Sequence, residues 1–599
     1  MPDNVTIEEN TKYPRKPNNA LLEKAQQVMQ EDFTESKKII DYKSKDWDRW
    51  ESMFKSEQQT KKYDWESNLI IPKADYIIET ITPQIINTIF SLAQWLTIKN
   101  PLMDEHDLRL LEKFFLWVMD RKVGFYLPAI ELFKSAPITG TSICKLSLKN
   151  GWPTVDFVPL KNFFPDPHCN KPGDIESMAF CMEKFRRRLS QLERFTTPNG
   201  DPVYFNLDIV REKEQSEASV EMEGTDVTVT LPKIYNILER WGEFETTSGN
   251  YDVNKTIYKP GRYEEYIITA ILEGESNIGT IIRCEPSTFK YRDRQANKDV
   301  YLKPYVACLY SIYPGEFYGK GALQPVESLI NELIEHHNLY LDEHKRSVMS
   351  ILQVLERSNL TEEDLQMKPY AIWYVSSHDD VQRVQFPEMN LQAYNVVNAI
   401  LNKELERGVG IADPAMGIPT SKRQTYGEIR SLLLESTRRF ATFIQMADRL
   451  TLRPIARRIM LILKQTILKE TQFILPDMEI TIKPEQLDAI DLHDFQFAAT
   501  GIEPEFSKYN RQNLLPRLLK AFADLAMASG GEYKLNLPGI MQMIADTYDI
   551  QAQDFVTEAI PMVPVDPLIQ AAPEDLKPVL MELIAGVLTQ MKIQQQKAK

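Results

Sequence analysis

The chain is poor in cysteine, and the cysteines it has are not paired. Five cysteines are scattered over 599 residues, and none of them forms a C-x-x-C pair. Structural zinc sites need closely spaced cysteine pairs, and secreted disulfide scaffolds need an even, closely spaced set. This usage predicts a reducing compartment and argues against a structural zinc site. We interpret the neighbours His168 and Cys169 as a coincidence within a loop.

Long apolar runs are also missing. No stretch reaches the roughly 18 uninterrupted apolar residues that a membrane-spanning helix needs, so none is predicted. The first residues, MPDNVTIEENTKYPRKPNN, are polar and do not resemble a secretory signal peptide. The apolar content is 43% and the charged content is 26%. Both values are typical of a folded soluble protein. At ~100–200 residues per domain, the length predicts several domains.

The sequence contains none of the common catalytic signatures. It has no G-x-S-x-G elbow, H-E-x-x-H motif, EF-hand loop or dinucleotide fingerprint. The adjacent carboxylates at Asp379-Asp380 and at 362–364 lie in polar, loop-like surroundings, which favours a solvated face over a general acid/base pair. The sequence therefore does not support an enzyme, and we predict no cofactor.

A histidine group invites a metal-site interpretation. His336, His337 and His344 lie close together in one helical pattern. Neither a carboxylate nor a cysteine completes a ligand set at suitable spacing. We therefore predict packed or solvated histidines and no metal.

The stretch GEFYGKGALQPVE, residues 315–327, resembles a phosphate-binding loop at first sight. A P-loop needs G-x-x-x-x-G-K-[ST], so that successive amides surround the phosphates and a hydroxyl holds magnesium. The spacing from Gly315 to Gly319 is one residue too short, and Gly321 stands where the hydroxyl should be. A tight turn is the better interpretation, with glycines that supply positive φ or allow close approach of backbones.

Charge is distributed unevenly. The net charge is −15, yet residues 400–470 hold 13 Lys/Arg against 7 Asp/Glu, and residues 471–599 hold 10 against 18. The arginines concerned are either ordinary surface charge or face a polyphosphate, and residue types alone do not decide between the two. They are Arg430, Arg438, Arg439, Arg449, Arg453, Arg457 and Arg458.

Periodicity divides the first half of the chain. Residues 1–60 and 65–135 read as helical, and residues 139–310 read as mixed α+β. Asn150-Gly151 predicts the turn of a β-hairpin between two alternating segments. Within this region, SMAFCMEKFRRRLSQLERF (177–195) is predicted as a helix.

The second half is predicted to be mainly helical. An apolar stripe predicts a helix from about Pro325 to Lys345, and a similar one runs from about Asn390 to Gly408. A small α/β insert separates them, which predicts an antiparallel hairpin of helices with a module at its tip. A glycine- and proline-containing loop follows, and then a long helix from about Tyr426 to Lys469, with a kink at Pro454.

The order of these parts resembles the portal proteins of tailed bacteriophages, nearest the large podovirus type. The resemblance rests on four segments in the family's order along about residues 65–470. They are NLIIPKADYIIETITPQIINTIF, VDFVPLKNFFPDPHC, YPGEFYGKGALQPVESLINELIEHHN and TSKRQTYGEIRSLLLES.

The resemblance implies an α+β portal fold and a division of the chain. Gly315, Gly319 and Gly321 would form the corner between wing and stem. The wing would have a helical start and a strand-rich remainder, and the crown would be helical. The implied bounds are 1–320 for the wing, 321–345 for the first stem helix, 346–388 for the clip, 389–408 for the second stem helix, 409–424 for the tunnel loop, 425–480 for a long wing helix and 481–599 for the crown.

It also implies a function. Portals form rings of about twelve subunits at one capsid vertex of the virion, where double-stranded DNA enters and leaves. The partners implied are further copies of the chain, the terminase motor, a tail adaptor, and capsid and scaffolding proteins, with no membrane. Lys422 and Arg423 would contact DNA phosphates in the tunnel loop, which also contains Gly417 and Pro419.

Two other classes of protein are weighed against this interpretation. A tail adaptor would also form a ring, but adaptors are usually much smaller and lack the stem–clip–stem order. A nuclease or terminase-like ATPase would need a complete phosphate loop or a carboxylate cluster at strand ends, and the sequence has neither.

Overall fold

The computed structural model of this chain combines helices and strands, in agreement with the predicted α+β class. The chain forms two compact units: Met1–Ile86 with Ile98–Ala498, and Asn87–Thr97 with Ala499–Lys599. In the second unit the structure describes only 87–90, 96–97 and 499, so nearly all described elements belong to the first. The described residues are 16–58, 63, 65–90, 96–99, 104–196, 201–212, 233–247, 250–252, 257–259, 261–293, 297–348, 352–355, 372, 374–375, 377, 379–384, 391–409, 442–467, 469, 471–474, 479–488 and 496–499.

A 36-residue helix, α1 (Asn19–Phe54), comes first. Asn18 caps it, since its side-chain Oδ1 accepts a hydrogen bond from the Leu21 backbone N–H at 3.0 Å. The buried side chains follow one stripe, as expected for an amphipathic helix that packs on a core. They are Ala25, Met29, Phe33, Ser36, Ile40, Trp47 and Trp50.

Three shorter helices follow. They are α2 (Lys73–Phe90), α3 (Glu105–Trp117) and α4 (Tyr126–Thr139), and a π-helical turn (Val118–Val123) leads from α3 towards α4. The prediction of an unbroken helical region was wrong at β1 (Leu96–Lys99), which is extended. Periodicity cannot separate so short an apolar run from the helix before it.

Antiparallel strands make up the middle of the chain, interrupted by the short helix α5 (Leu189–Glu193). Their bounds are β2 (Thr141–Lys149), β3 (Trp152–Val158), β4 (Phe163–Pro165), β5 (Phe180–Arg188), β6 (Ile234–Thr247), β7 (Asn250–Asp252), β8 (Ile257–Lys259), β9 (Arg262–Glu273), β10 (Asn277–Pro286), β11 (Lys290–Asp293), β12 (Lys298–Tyr301) and β13 (Tyr305–Leu309).

Two sheets carry the core of this region. One has the order β13-β2-β3 and the other has the order β10-β9-β6-β5-β4. The predicted β2–β3 hairpin is confirmed, with Asn150 at φ 54° and Gly151 at φ 79° in its turn. Two adjacent positive φ values are what a two-residue hairpin turn of this kind requires.

The predicted helix over 177–195 was wrong for most of its length. Residues Phe180–Arg188 form β5, which pairs with β6 from Phe180↔Gly242 to Arg188↔Ile234. Only Leu189–Glu193 is helical. The pairing decides the outcome, because β6 and β4 satisfy the backbone of β5 from both sides while the sequence itself carries an ambiguous apolar pattern.

The hairpin of helices lies close to its predicted bounds. A 3-10 turn (Gln324–Val326) leads into α6 (Glu327–Val348), and α7 is Leu391–Val409. Between them, β14 (Leu352–Val354) and β15 (Val381–Arg383) form an antiparallel pair.

The region after residue 441 departs from the prediction at its end. A π-helical turn (Ala447–Leu452) leads into α8 (Arg453–Thr466), and Pro454 lies in the first turn of α8. The helix ends at Thr466, close to its predicted end at Lys469. After it come the β16 (Thr471–Ile474) and β17 (Glu479–Ile482) pair, then α9 (Pro484–Asp488) and β18 (Gln496–Ala499).

Candidate functional site

The candidate site begins at the glycine corner between β13 and α6. Gly315 has φ +82°, and a Cβ there would meet open space, so glycine is favoured at this position only by its backbone conformation. Gly319 is favoured because the backbone packs closely around it. A Cβ on Gly319 would lie 2.5 Å from the backbone oxygen of Gly140 and 2.6 Å from that of Ser311.

The corner is pressed against the end of α4. A Cβ on Gly140 would lie 2.2 Å from the oxygen of Gly319, and one on Gly321 would lie 2.8 Å from the oxygen of Ile138. Gly140 also has φ +86°, where a side chain is strained. Sequence reasoning missed Gly140, because it lies on a distant segment of the chain and is recognised only through its contact with Gly319.

The amides of the corner are used within the protein. Gly319 N–H donates to Thr141 Oγ1 at 2.8 Å, Lys320 N–H to the Ser311 carbonyl at 2.9 Å, and Ala322 N–H to the Pro137 carbonyl at 2.7 Å. A phosphate loop needs its amides free to surround an anion. This geometry fits a structural turn and does not fit a nucleotide pocket.

The corner leads into the start of α6, which is hydrogen-bonded to α1. Glu327, the first residue of α6, accepts hydrogen bonds from Arg49 Nε at 2.9 Å and from Trp50 Nε1 at 2.8 Å. An aromatic donor and a guanidinium on one carboxylate fix its position from two directions. The start of the helix is therefore tied to the long N-terminal helix as well as to the corner.

Helices α6 and α7 run antiparallel. Near their base, Val326 Cγ1 lies 2.7 Å from the position of a Cβ on Gly408. Further along, the ring of Tyr394, near the start of α7, stacks on Tyr340 at 4.2 Å between centroids. The two contacts pair the start of one helix with the end of the other.

The histidines of α6 are packed as rings. His337 Nδ1 lies 2.7 Å from Tyr394 Oη, His336 stacks on Tyr394 at 5.2 Å, and His344 stacks on Tyr340 at 6.5 Å. The predicted packing role is confirmed for these three. In the described part of the chain no group of three or more His, Cys, Asp or Glu side chains is arranged to hold a metal ion.

A cleft of about 1130 Å³ runs beside α6. The end of α1 and the segment 65–71 form its walls, and Met53, Ile330 and Ile334 are among its apolar lining residues. The segment is bonded to the helix, since Ser67 N–H donates to Asp342 Oδ1 at 2.7 Å and Leu69 N–H donates to Asn338 Oδ1 at 2.9 Å. Burial raises the pKa of Asp342, but the bonds from Ser67 and Lys345 outweigh it and lower that pKa.

The carboxylates at the tip of the hairpin have local roles. Asp380 is buried, and its Oδ2 accepts a hydrogen bond from the Ser377 N–H at 2.7 Å. Asp379 is exposed, as the solvated-face interpretation predicted. Asp380 departs from that interpretation, because its carboxylate closes a turn. Residues 362–364 lie outside the described residues.

Some arginines of the predicted basic helix are bonded within the protein, and another is exposed. Arg453 donates to Asp448 Oδ2 at 2.6 Å, and the buried Arg458 donates to the Lys303 carbonyl at 2.7 Å and also pairs with Glu176. Arg449 is exposed. The buried Arg458 joins α8 to the strand region and cannot face a polyphosphate. Arg430, Arg438 and Arg439 lie outside the described residues.

Most thiols are held in their protonated form. Burial raises the pKa of Cys144, Cys181 and Cys284 to about 12, and that of Cys308 to about 11. A thiol with so high a pKa is a poor nucleophile at neutral pH. Cys169 is half-buried, and its sulfur lies 3.6 Å from the Asp174 carbonyl.

The DNA-contacting residues implied by the resemblance fall in 410–441, outside the described residues. Lys422, Arg423, Gly417 and Pro419 therefore stay predictions. No helix among the residues that the structure describes is both long and apolar enough to span a membrane. Neither the scan against protein-family models nor the search of curated proteins finds a match for this chain.

Proposed function

We propose that this chain is a portal protein of a tailed bacteriophage, the ring through which double-stranded DNA enters and leaves the capsid. The observation that carries the proposal is the hairpin α6–α7. Two helices of 22 and 19 residues run antiparallel, and a small β pair lies between them in the chain. The first helix begins just after the glycine corner. This matches the stem–clip–stem order of the family that the sequence resembles.

The surface of the hairpin supports self-assembly. Its apolar side chains Leu339, Leu391, Val396 and Ile400 are 60%, 54%, 58% and 55% exposed. Val396 and Ile400 are four positions apart on α7 and therefore share one face, and an exposed apolar face on a folded protein marks an interaction surface. A contact between two different faces of identical subunits closes into a ring when its rotation closes. By resemblance, the ring would hold about twelve subunits.

The further roles follow from the resemblance. The ring would occupy one vertex of the capsid in the virion, dock the terminase motor during packaging and bind the tail adaptor afterwards. The motor would hydrolyse ATP, and this chain would have neither a catalytic site nor a cofactor. The amides of Gly319, Lys320 and Ala322, which bond within the protein, support this division of labour.

The tunnel loop would touch DNA through Lys422 and Arg423. Lys422→Ala with Arg423→Ala is expected to impair DNA retention or packaging while rings still assemble. Loss of the rings themselves in this double variant would contradict the assignment of these two residues to the channel.

The first test is negative-stain electron microscopy of the purified chain, with native mass spectrometry for subunit number. Rings with a central hole and a mass near twelve copies are expected. A monomer that hydrolyses ATP or cuts DNA would overturn the proposal. Rings of the expected mass that fail to bind a terminase, but bind a tail component, would favour the adaptor class.

A further inference from the structure

The end of β5 and the helix after it carry an unusual group of cations. Lys184, Arg186, Arg187, Arg188 and Arg194 lie close together in the chain, and all but the half-buried Lys184 are exposed. We call these five residues the β5 basic patch. None of them forms an ion pair with a carboxylate in the described part of the chain. The nearby carboxylate of Glu193 is paired with Arg211.

Several cations elsewhere in the strand region have carboxylate partners. Lys145 bonds to Glu183 and Glu239 at 2.7 and 2.8 Å, and Arg240 bonds to Asp32 at 2.7 Å. Even the exposed Lys290 pairs with Asp299 at 2.7 Å. A folded chain with a net charge of −15 has carboxylates to spare for such pairs. Single cations without an ion pair, such as Lys149, also occur elsewhere in the described part of the chain, but here five of them lie together within residues 184–194.

The strand fixes the spacing of the patch. Lys184, Arg186 and Arg188 project from one face of β5, about 6.6 Å apart at ~3.3 Å per residue. Arg187 projects from the other face, where its guanidinium lies 5.5 Å from the ring centroid of Phe185. A row of cations at this spacing can face more than one phosphate of a nucleic-acid backbone at once.

We propose that the β5 basic patch is a second DNA-binding surface, which contacts backbone phosphates without regard to sequence. Arginine is the side chain best suited to this, because its planar guanidinium donates two parallel hydrogen bonds to one phosphate. The patch lies in the strand region, and its residues are distant in the sequence from those of the predicted tunnel loop. This inference goes beyond the proposed channel and does not depend on Lys422 or Arg423.

The test measures binding of a fluorescein-labelled DNA duplex of roughly three helical turns, by anisotropy at two salt concentrations. It compares the intact chain with Arg186→Ala/Arg187→Ala/Arg188→Ala. The control variant Lys38→Ala/Lys149→Ala/Lys298→Ala removes the same charge from exposed lysines elsewhere. Equal melting temperatures of the three proteins would show that folding is unaffected.

At low salt the arginine variant is expected to bind at least about tenfold more weakly, and the control variant within about twofold of the intact chain. The slope of log affinity against log salt should fall by about 2.7 if three phosphate contacts are lost. Equal losses in both triple variants would overturn the proposal. Unchanged affinity of the arginine variant would also overturn it.

Two further measurements distinguish DNA binding by the patch from the alternatives. Poly-glutamate that displaces the duplex at equal charge concentration would assign the patch to an acidic protein instead of DNA. Loss of DNA binding in Lys422→Ala/Arg423→Ala alone, with full binding in the arginine variant, would overturn the patch and leave the channel proposal standing.

Discussion

The strand region and the hairpin α6–α7 treat polar and apolar groups in opposite ways. Between the two sheets, the half-buried Lys145 from β2 pairs with Glu183 and the buried Glu239, and Tyr305 Oη donates to Glu183 at 3.0 Å. On the hairpin, Val396 and Ile400 leave more than half of their surface in water. One region encloses charge and the other exposes hydrocarbon.

The strand region supplies the partners of its buried charges itself, whereas the hairpin leaves part of its apolar surface uncovered. A buried charge is tolerated only when it is paired and hydrogen-bonded, and the strand region supplies those partners from its own elements. An apolar helical face in water gains stability when another surface covers it. The strand region therefore satisfies its buried charges within one subunit, and we infer that the hairpin is completed by assembly.

The largest effect on stability is expected at the glycine corner. Gly319→Ala places a Cβ 2.5 Å from one backbone oxygen and 2.6 Å from another, so the main chain has to move. We expect a loss of about 4 kcal/mol or more in unfolding free energy. Gly315→Ala is the control, because this position has positive φ but free space. It should cost about 1–2 kcal/mol. Equal losses in urea unfolding would contradict the close-contact explanation.

The next effect is expected at the buried ion pairs. Lys145→Met leaves the buried Glu239 and the half-buried Glu183 without this cation, which should cost about 3–5 kcal/mol. Lys24→Met breaks the more exposed pair with Glu245. This change should cost less than about 1 kcal/mol. The measurement is the urea midpoint of each variant. Similar midpoints for the two variants would mean that the buried network does not contribute more than a surface pair.

The same network predicts a pH dependence. Burial raises the pKa of Glu239, but Lys145 and Arg283 outweigh it and lower that pKa, while the two carboxylates raise the pKa of Lys145 against the effect of burial. The contribution of Glu239 is complete above its unfolded pKa of about 4.3 and is lost as pH falls through the folded value. The contribution of Lys145 is complete below about 10.4 and is lost as pH rises through the folded value.

Removing Lys145 should reverse the direction in which folding stability changes as the pH falls below neutral. In Lys145→Met the largest influence that lowers the pKa of Glu239 is gone, and only Arg283 and Trp241 still oppose burial, so we expect its folded pKa to rise above the unfolded one. Lowering the pH from about 7 to about 5 should then stabilise the variant and leave the intact chain nearly unchanged. Melting curves at both pH values test this, and parallel behaviour of the two proteins would contradict it.

A smaller effect is expected inside the hairpin. Tyr394→Phe keeps the stacked rings and removes the hydroxyl that lies 2.7 Å from His337 Nδ1. The loss should be about 1 kcal/mol, the usual value of one hydrogen bond. Tyr76→Phe, an exposed tyrosine on α2, is the control and should change the melting temperature little. A larger loss in the control would contradict the packing role of Tyr394.

The smallest effect on stability, and the sharpest on assembly, is expected on the outer face of α7. Val396 and Ile400 are both exposed there. Replacing both with Gln should therefore change the unfolding free energy by only about 0.5 kcal/mol per site. The same double variant should fail to form rings by native mass spectrometry. Asn395→Gln, exposed on the same helix, should still form them. Intact rings in the double variant would show that this face is not an interface.

Local patterns in the sequence determined the helical hairpin and the β2–β3 turn. The apolar stripe of α6 repeats at helical spacing, and Asn150-Gly151 fits two positive φ values whatever surrounds it. Such features depend on neighbours three or four positions away, so the sequence alone predicts them. The helix–strand alternation of the first half was predicted in outline for the same reason.

Only the tertiary structure decided the rest. Residues 180–188 form a strand because β6 pairs with them, and Gly140 is required because Gly319, from a distant segment, packs on it. The sequence does not distinguish Arg458 from the exposed Arg449 of the same region. In the structure it is buried and donates to the Lys303 carbonyl. These outcomes depend on which distant backbone meets which side chain, and the pairing of distant segments is fixed by the packed fold and not by local sequence.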